Sequence, residues 1–324
     1  MKEFKFSGDF ASGADISWLP MMELTGFRFK DKDGNIRDCL DILKSYGIDA
    51  IRLRSWVNPS SHPHRGHCSA QETLEFAKRL QRYGFDVMID LHYGDSWCDP
   101  GQQVKPKAWQ DLPFEKLLEA VYSYTLETIS TFVSNGFTPK WVQLGNETNP
   151  GMLLPDGSTD DFSKLTRIYN AAHKAVKEAS PETATIIHLA EGNNTDFLVN
   201  YFDKLRENGC TYDMIGLSYY PYWFKKPNSE IIGDLERSFE TLSSKFDKDV
   251  ILVEIGGVDE EEDESYELLI SAIEKCHNQK RCKGIFYWEP QGAKAWSNYN
   301  LSAWREDGTP THAMDAYLSI KKKS

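Results

Sequence analysis

The stretch Ser69–Tyr93, SAQETLEFAKRLQRYGFDVMIDLHY, places a helix pattern directly before a strand pattern. Its apolar residues recur every three or four positions as far as Tyr83, which predicts an amphipathic helix. Gly84 is the kind of residue that commonly ends a helix, and the apolar run from Asp86 to Tyr93 is typical of a buried strand. Such a unit belongs to a fold in which helices and parallel strands alternate.

The same alternation continues in both directions along the chain. Eight apolar runs are typical of buried strands: FASGADIS from Phe10, IDAIRLRSW from Ile48, DVMIDLHY from Asp86, WVQLGNE from Trp141, TIIHLAEG from Thr185, DMIGLSYYP from Asp213, DVILVEIGG from Asp249 and CKGIFYWEP from Cys282. Helical patterns between them include 38–45, 69–83, 114–132, 162–178, 229–246 and 265–277. Eight strands close a (β/α)8 barrel, and the 324 residues suffice for one with long loops. We therefore predict an α/β fold: one (β/α)8 TIM barrel over residues 1–324.

Composition excludes several classes of partner. The formal net charge is −12, whereas a nucleic-acid-binding protein presents a basic surface to phosphates. No run approaches the ~20 apolar residues of a membrane span, and the first ten residues lack the apolar core of a signal peptide. Aromatic residues make up 13% of the chain, and those in loop-like stretches would suit the flat faces of sugar rings. We predict a monomer with neither nucleic-acid nor membrane partner.

The chain contains six cysteines, which are too scattered for a zinc site. Cys68 with Cys98, and Cys276 with Cys282, could each form a disulfide, and free buried thiols are the alternative. The acidic run 259–264 lacks the alternating spacing of a calcium loop, so it indicates a solvated loop and a helix start. We therefore predict no bound metal.

In such barrels the reacting residues lie at the C-terminal ends of the strands. Polar and aromatic side chains collect at those ends here: Asp15, Arg52, Arg54, Trp56, Asp90, His92, Tyr93, Asn146, Glu147, His188, Glu191, Tyr219, Tyr220, Glu254, Trp288 and Glu289. Strands four and seven are expected nearly opposite one another, so Glu147 and Glu254 could face each other across a cleft. Paired carboxyl groups are typical of glycosidases, about 5 to 5.5 Å apart in retaining enzymes and roughly 6.5 to 9.5 Å apart in inverting ones.

The two glutamates must differ in protonation, because one donates a proton while the other attacks as an anion. Arg52 could keep Glu254 charged, and the hydroxyl of Tyr219 or Tyr220 could orient it. Glu147 would then be the acid. Asn146, beside it, is placed to hydrogen-bond a sugar 2-hydroxyl.

Seven ordered motifs resemble the family 53 endo-β-1,4-galactanases, in the clan of retaining barrel glycosidases whose catalytic glutamates end strands four and seven. They are GADIS (13–17), IRLRSWVNP (51–59), DLHYGDSWCDPGQQ (90–103), VQLGNETNPGMLLPDG (142–157), IIHLAEG (186–192), GLSYYPYW (216–223) and FYWEP (286–290). The resemblance implies Glu147 as acid/base and Glu254 as nucleophile. We accordingly predict supporting roles for Arg52, His92, Asn146, Tyr219 and Tyr220, and substrate binding by Asp15, Trp56, Asp95, Trp97, Asp99 and Trp288.

The resemblance also implies a substrate, β-1,4-galactan of pectic side chains or galacto-oligosaccharides, and an extracellular location. Two departures from the family pattern are visible: Cys98 stands where alanine is common, and Leu154 where tryptophan is common. Some bacterial members carry calcium in the last long loops. The segments after strands seven and eight are short here and lack recognisable ligand spacing, so we predict no cofactor.

Three other functions are compatible with a barrel. Another β-glycanase of the same clan, such as a mannanase or glucanase, would use the same two carboxylates. A non-catalytic glycan-binding barrel would have no need to keep both. An aldolase that forms a Schiff base requires a lysine at a strand end, and none is predicted there.

Overall fold

The computed structural model describes residues 2–323, so both end residues of the predicted domain, Met1 and Ser324, lie outside it. Eight strands form a closed barrel. Each strand lies next to the one that follows it in sequence, and strand eight lies next to strand one. The strands, in order, are Ala11–Asp15, Ala50–Ser55, Asp86–Leu91, Trp141–Leu144, Ala184–Leu189, Met214–Tyr219, Asp249–Ile255 and Cys282–Trp288. The predicted (β/α)8 fold and its eight strands are confirmed.

Helices connect the strands. The predicted ones are confirmed as Cys39–Ser45, Ala70–Arg82, Phe114–Ser134, Phe162–Ala179, Asn228–Phe246 and Glu262–Asn278. Thr195–Glu207 was not predicted, and its aromatic and β-branched residues have modest helix propensity. Shorter elements are the α-helices Leu19–Leu24, Pro221–Phe224 and Lys294–Ser297, the 3₁₀ helices Lys107–Trp109 and His312–Ser319, and the paired strands Phe4–Phe6 with Ile320–Lys322 and Gly151–Met152 with Gly157–Ser158.

Local sequence signals fix where these helices begin. The Ser69 hydroxyl accepts a hydrogen bond from the Glu72 backbone N–H, and the Glu72 carboxylate accepts one from the Ser69 N–H, so both form a capping box. The Asp38 carboxylate caps its helix by accepting from the Leu40 N–H at 2.8 Å. Gly84 takes a φ of +69° just after the Ala70–Arg82 helix, as the turn into strand three requires.

The described chain forms two compact units, each with its own buried residues. The first unit holds the residues up to Arg52, the segment Glu191–Thr195 and the residues from Leu217 onward. The second unit holds Leu53–Ala190 and Asp196–Gly216. The assignment of the whole chain to a single domain stays a prediction.

Strand register brings the ends of neighbouring strands together within each unit. In the first unit Trp288 lies opposite Asp15, and Asp15 lies opposite Arg52. In the second unit Asp90 lies opposite Gln143 on the next strand. Within residues 2–323, no helix is both long and apolar enough to cross a bilayer.

Gly13 lies where strand one crosses an aromatic ring of strand eight. A Cβ atom on Gly13 would lie 2.2 Å from the Phe286 ring, so we expect Gly13→Ala to destabilise the protein by about 1 to 3 kcal/mol through overpacking. Gly233 is the matched control, because it is exposed in a helix and its Cβ would meet nothing within 4 Å. We expect Gly233→Ala to stabilise by about 0.5 to 1 kcal/mol. Urea unfolding measures both, and equal effects would contradict the packing argument.

Candidate active site

Glu254 is the penultimate residue of the seventh strand, inside the first unit, and is almost fully buried. Its Oε1 lies 2.9 Å from the Arg52 Nη1, and its Oε2 accepts a hydrogen bond of 3.1 Å from the Tyr220 hydroxyl. An opposite charge and a donated hydrogen bond both favour the charged form of a carboxyl group. These contacts favour the charged form of Glu254 and fix the orientation of its side chain.

Arg52 is shared between two carboxylates. The same Nη1 lies 2.9 Å from Asp15 Oδ2, and the residue is only 1% exposed. The other Asp15 oxygen accepts from the Ser17 N–H at 3.1 Å and the Ser17 hydroxyl at 2.7 Å. Asp15, predicted to bind substrate, is therefore engaged in holding Arg52 beside Glu254.

The two tyrosines at the end of strand six have different partners. The Tyr220 hydroxyl donates to Glu254, whereas the Tyr219 hydroxyl donates to Asn228 at 2.8 Å. Of the two hydroxyls that could orient Glu254, the Tyr220 hydroxyl is therefore the one that contacts it. Trp288 is partly exposed, and its ring packs edge-on against Trp18 at 5.2 Å and Tyr299 at 4.8 Å.

Replacing Arg52 tests how much this shared cation stabilises the fold. We expect Arg52→Met to lower the free energy of unfolding by about 3 to 5 kcal/mol, because two buried carboxylates lose their common cation. Arg281 is the matched control: it also bridges two carboxylates, Asp247 and Asp249, but its side chain is 39% exposed.

For Arg281→Met we expect a loss of about 1 kcal/mol or less, because solvent screens exposed ion pairs. Urea denaturation measures both variants. Equal destabilisation by the two replacements would contradict this account.

In the second unit, a buried chain of hydrogen bonds fixes His92. Its Nε2 lies 2.9 Å from Asp90 Oδ2, and its Nδ1 accepts from the Cys98 backbone N–H at 3.2 Å. Because Nδ1 is an acceptor, the ring proton is on Nε2 and points to Asp90. His92 is therefore held in one orientation by groups on both sides of its ring.

Glu147 follows strand four and is half-buried, next to the buried Asn146. Its backbone N–H donates to His188 Nδ1 at 3.3 Å, and the same Nδ1 accepts from Gln143 Nε2 at 2.9 Å. The Asn146 amide donates to the Cys98 carbonyl at 2.8 Å. These bonds fix the backbone that carries Glu147 while its side chain remains partly open to solvent.

Left-handed backbone recurs where the barrel strands end. Tyr93, Glu147, Glu191 and Glu289 all have positive φ, between +44° and +61°, and none is glycine. Such conformations cost of order 1 kcal/mol or more each and cluster at functional sites. The strained residues therefore lie at the same strand ends where polar side chains collect in the sequence.

Four other predicted residues lie in or beside the segments that follow strands two and three. Trp56 is fully buried, with its ring edge-on to those of His92 and Trp97. Asp95 accepts the N–H groups of Asn58 at 3.0 Å and Lys107 at 2.8 Å, and Asp99 accepts that of Gly101 at 2.8 Å. Both carboxylates hold these segments in place, and substrate contact by any of the four, Trp97 included, stays a prediction.

Sequence reasoning missed Gln143. This residue is fully buried in strand four, and its amide donates to Asp90 at 2.6 Å as well as to His188. The available signal was a polar residue between the apolar Val142 and Leu144 of a buried strand. Glu289 received no role either, although it is fully buried and accepts from the Trp18 N–H at 3.0 Å.

All six cysteines are free thiols; of the two candidate pairs, Cys98, Cys276 and Cys282 are buried, and Cys68 is partly exposed. Burial raises the pKa of the Cys98 thiol to about 12, which keeps it protonated at neutral pH. Among residues 2–323, no three or more His, Cys, Asp or Glu side chains are grouped to hold a metal ion. The absence of a cofactor stays a prediction.

The sequence matches the profile of Glycosyl hydrolase family 53 over residues 11–268. Arabinogalactan endo-beta-1,4-galactanase A of Emericella nidulans is 35% identical over 249 residues, which cover 75% of this chain and 69% of that protein. Its namesake from Aspergillus niger is 30% identical over 302 residues, covering 86% and 84%. In structure, the Ignisphaera aggregans GH53 catalytic domain matches with a TM-score of 0.88 at 28% identity, covering 99% of this chain and 100% of that one.

Proposed function

The chain belongs to glycosyl hydrolase family 53, and from this premise we propose that it cleaves internal β-1,4 links of galactan with retention of configuration. It is a glycoside hydrolase, like the relatives named arabinogalactan endo-beta-1,4-galactanase. In the proposed mechanism Glu254 is the nucleophile and Glu147 is the acid/base. The names of these relatives support galactan as the substrate, and we take the galactan side chains of pectin as its source.

The observation that carries this proposal is the environment of Glu254. A glycosidase nucleophile must be a deprotonated carboxylate with a free path to the anomeric carbon. Arg52 at 2.9 Å and the Tyr220 hydroxyl at 3.1 Å support the charged form and fix the side chain. Asp15, at 2.9 Å from the same Arg52 nitrogen, helps to hold this cation beside Glu254.

The proposed reaction has two steps. Glu254 attacks the anomeric carbon while Glu147 gives its proton to the leaving oxygen, which forms a covalent glycosyl–enzyme and releases the first sugar product. Glu147, now deprotonated, then takes a proton from a water molecule that attacks the same carbon and frees Glu254. Two inversions give net retention. We propose that Asn146 binds the sugar 2-hydroxyl during both steps.

We propose that the enzyme acts as a single-domain monomer without a cofactor, and outside the cell, where a polymeric substrate is accessible. Activity should survive EDTA treatment and dialysis into metal-free buffer, because carboxylates carry out the chemistry. Sedimentation should give the mass of one chain. Dependence on an added metal ion would contradict the cofactor proposal.

A substrate panel tests the proposed function. Purified protein is incubated with β-1,4-galactan, β-mannan and β-glucan, with Glu254→Gln protein as the control for contaminating activity. We expect short oligosaccharides from galactan in chromatography, and proton NMR should show the β-anomer of the new reducing end first. Faster release from mannan or glucan would favour another β-glycanase. Binding without turnover would favour a glycan-binding barrel, and α-anomer first would rule out retention.

A further inference from the structure

Two aromatic rings stand exposed on the segment that follows strand six. The short helix Pro221–Phe224 carries Tyr222, which is 43% exposed, and Trp223, which is 64% exposed. Their rings pack edge-on, with centroids 4.8 Å apart. Adjacent exposed aromatic side chains on a soluble protein commonly mark a binding surface.

This aromatic pair is continuous with the residues that hold Glu254. Tyr220, whose hydroxyl donates to Glu254, directly precedes the helix. Two residues beyond Glu254, Gly256 lies beside the Tyr220 ring, since a Cβ there would be 3.2 Å from a ring carbon. The lining of a cleft of about 820 Å³ includes Pro221, Tyr222 and Gly256, and Trp223 lies beside this cleft against the Tyr222 ring.

The chemistry of this surface suits a neutral sugar. The flat apolar faces of hexose rings pack on aromatic side chains, and their hydroxyl groups hydrogen-bond polar groups at the edges. Asn300 donates to the Tyr222 hydroxyl at 3.4 Å, and Lys225 and Glu261 line the cleft. The full lining carries four acidic residues and two lysines, which disfavours an anionic ligand and is compatible with a neutral one, and the volume lies in the range of ligand sites.

Strand order places a second aromatic group on the other flank of strand seven. Strand seven, whose penultimate residue is Glu254, lies between strand six and strand eight in the barrel. Trp288 at the end of strand eight packs with Trp18 and Tyr299, and all three rings belong to the same unit as Tyr222. An extended chain that crosses Glu254 would therefore meet aromatic rings on both sides of the point of cleavage.

Resting on the proposed galactanase function, we propose that Tyr222 and Trp223 form a sugar-binding platform for a galactosyl unit of the substrate chain beyond the two units at the scissile bond. The platform gives the enzyme affinity for long chains. Its contribution appears only when the substrate is long enough to reach from Glu254 to the aromatic pair.

The test compares a long and a short substrate. For Trp223→Ala and for the double variant Tyr222→Ala/Trp223→Ala, we expect the ratio of kcat/KM on galactan to kcat/KM on an aryl β-galactoside to fall by about tenfold to a hundredfold. Trp223→Phe, which keeps a ring, should recover most of the ratio. Ile36→Ala is the matched control, because Ile36 is an apolar residue of the same unit with a similar exposure, 69%, and has no contact with the aromatic pair in sequence or in the cleft lining.

Failure of the platform and failure of the proposed function give different results. An unchanged ratio in an enzyme that cleaves galactan would overturn the platform alone, as would an equal loss on both substrates. If wild-type protein does not cleave galactan, the proposed function fails. Fluorescence titration with galacto-oligosaccharides then tests the platform, and affinity equal in wild type and Trp223→Ala would overturn it. Sedimentation gives a third check. If the wild-type protein is a dimer and Trp223→Ala makes it a monomer, the aromatic pair binds a second copy of the chain, and the proposal is overturned.

Discussion

Replacing Glu254 by glutamine is expected to lower kcat on galactan by at least about a thousandfold, the scale seen when a catalytic nucleophile is removed. Glutamine keeps the size of the side chain and can still meet the Tyr220 hydroxyl, but it cannot form the covalent glycosyl–enzyme. Stability should change far less than activity, because Arg52 retains its contact with Asp15. Initial rates of reducing-sugar release, together with a thermal unfolding curve, measure the two effects separately.

The control for this variant is Glu191→Gln. Glu191 lies shortly after the end of strand five and has a φ of +61°. Like Glu254 it is a glutamate at a strand end, but its side chain is exposed. Its replacement should change the rate on galactan by less than about threefold, as for surface groups outside a reaction centre. Glu254→Gly offers a second readout, because an added azide ion could attack the anomeric carbon from the vacated side and give the α-configured glycosyl azide. A Glu254→Gln protein with wild-type activity would exclude Glu254 as the nucleophile.

The barrel was predictable because its strands are buried on both faces. Each appears in the sequence as a short apolar run, and the polar residues at the end of each run stand out against it. Arg52 and Glu254 were identified in this way, from their positions alone. Thr195–Glu207 was missed because its periodicity is carried by residues of modest helix propensity.

Side-chain partners were less predictable, because they depend on which face of a strand each residue occupies. Tyr219 and Tyr220 are neighbours in sequence and so point in different directions, and only the structure shows that Tyr220 meets Glu254. The role of Gln143 depends on register: it lies opposite Asp90 on the neighbouring strand, and that pairing brings its amide to the carboxylate. Sequence reasoning found the charged residues at the strand ends and missed the neutral amide that joins them.

Replacing Glu147 by glutamine is expected to slow the cleavage of galactan by about a hundredfold to ten-thousandfold, the usual contribution of general acid catalysis. The loss should depend on the leaving group. An aryl glycoside with a nitrophenol leaving group requires no proton, so the glycosyl–enzyme should still form on it and then break down slowly. Stopped-flow absorbance should therefore show a burst of phenol, equal to about one per enzyme, followed by slow turnover.

The pH profile separates this role of Glu147 from a structural one. In the wild-type enzyme the rate should fall at low pH, where Glu254 becomes protonated, and again at high pH, where Glu147 loses the proton it must donate. In Glu147→Gln the fall at low pH should remain and the fall at high pH should vanish, because glutamine does not titrate. Glu191→Gln shares the left-handed backbone and should keep both limbs. A Glu147→Gln enzyme with an unchanged two-limbed profile, or with equal losses on galactan and the aryl glycoside, would mean that the proton comes from another group.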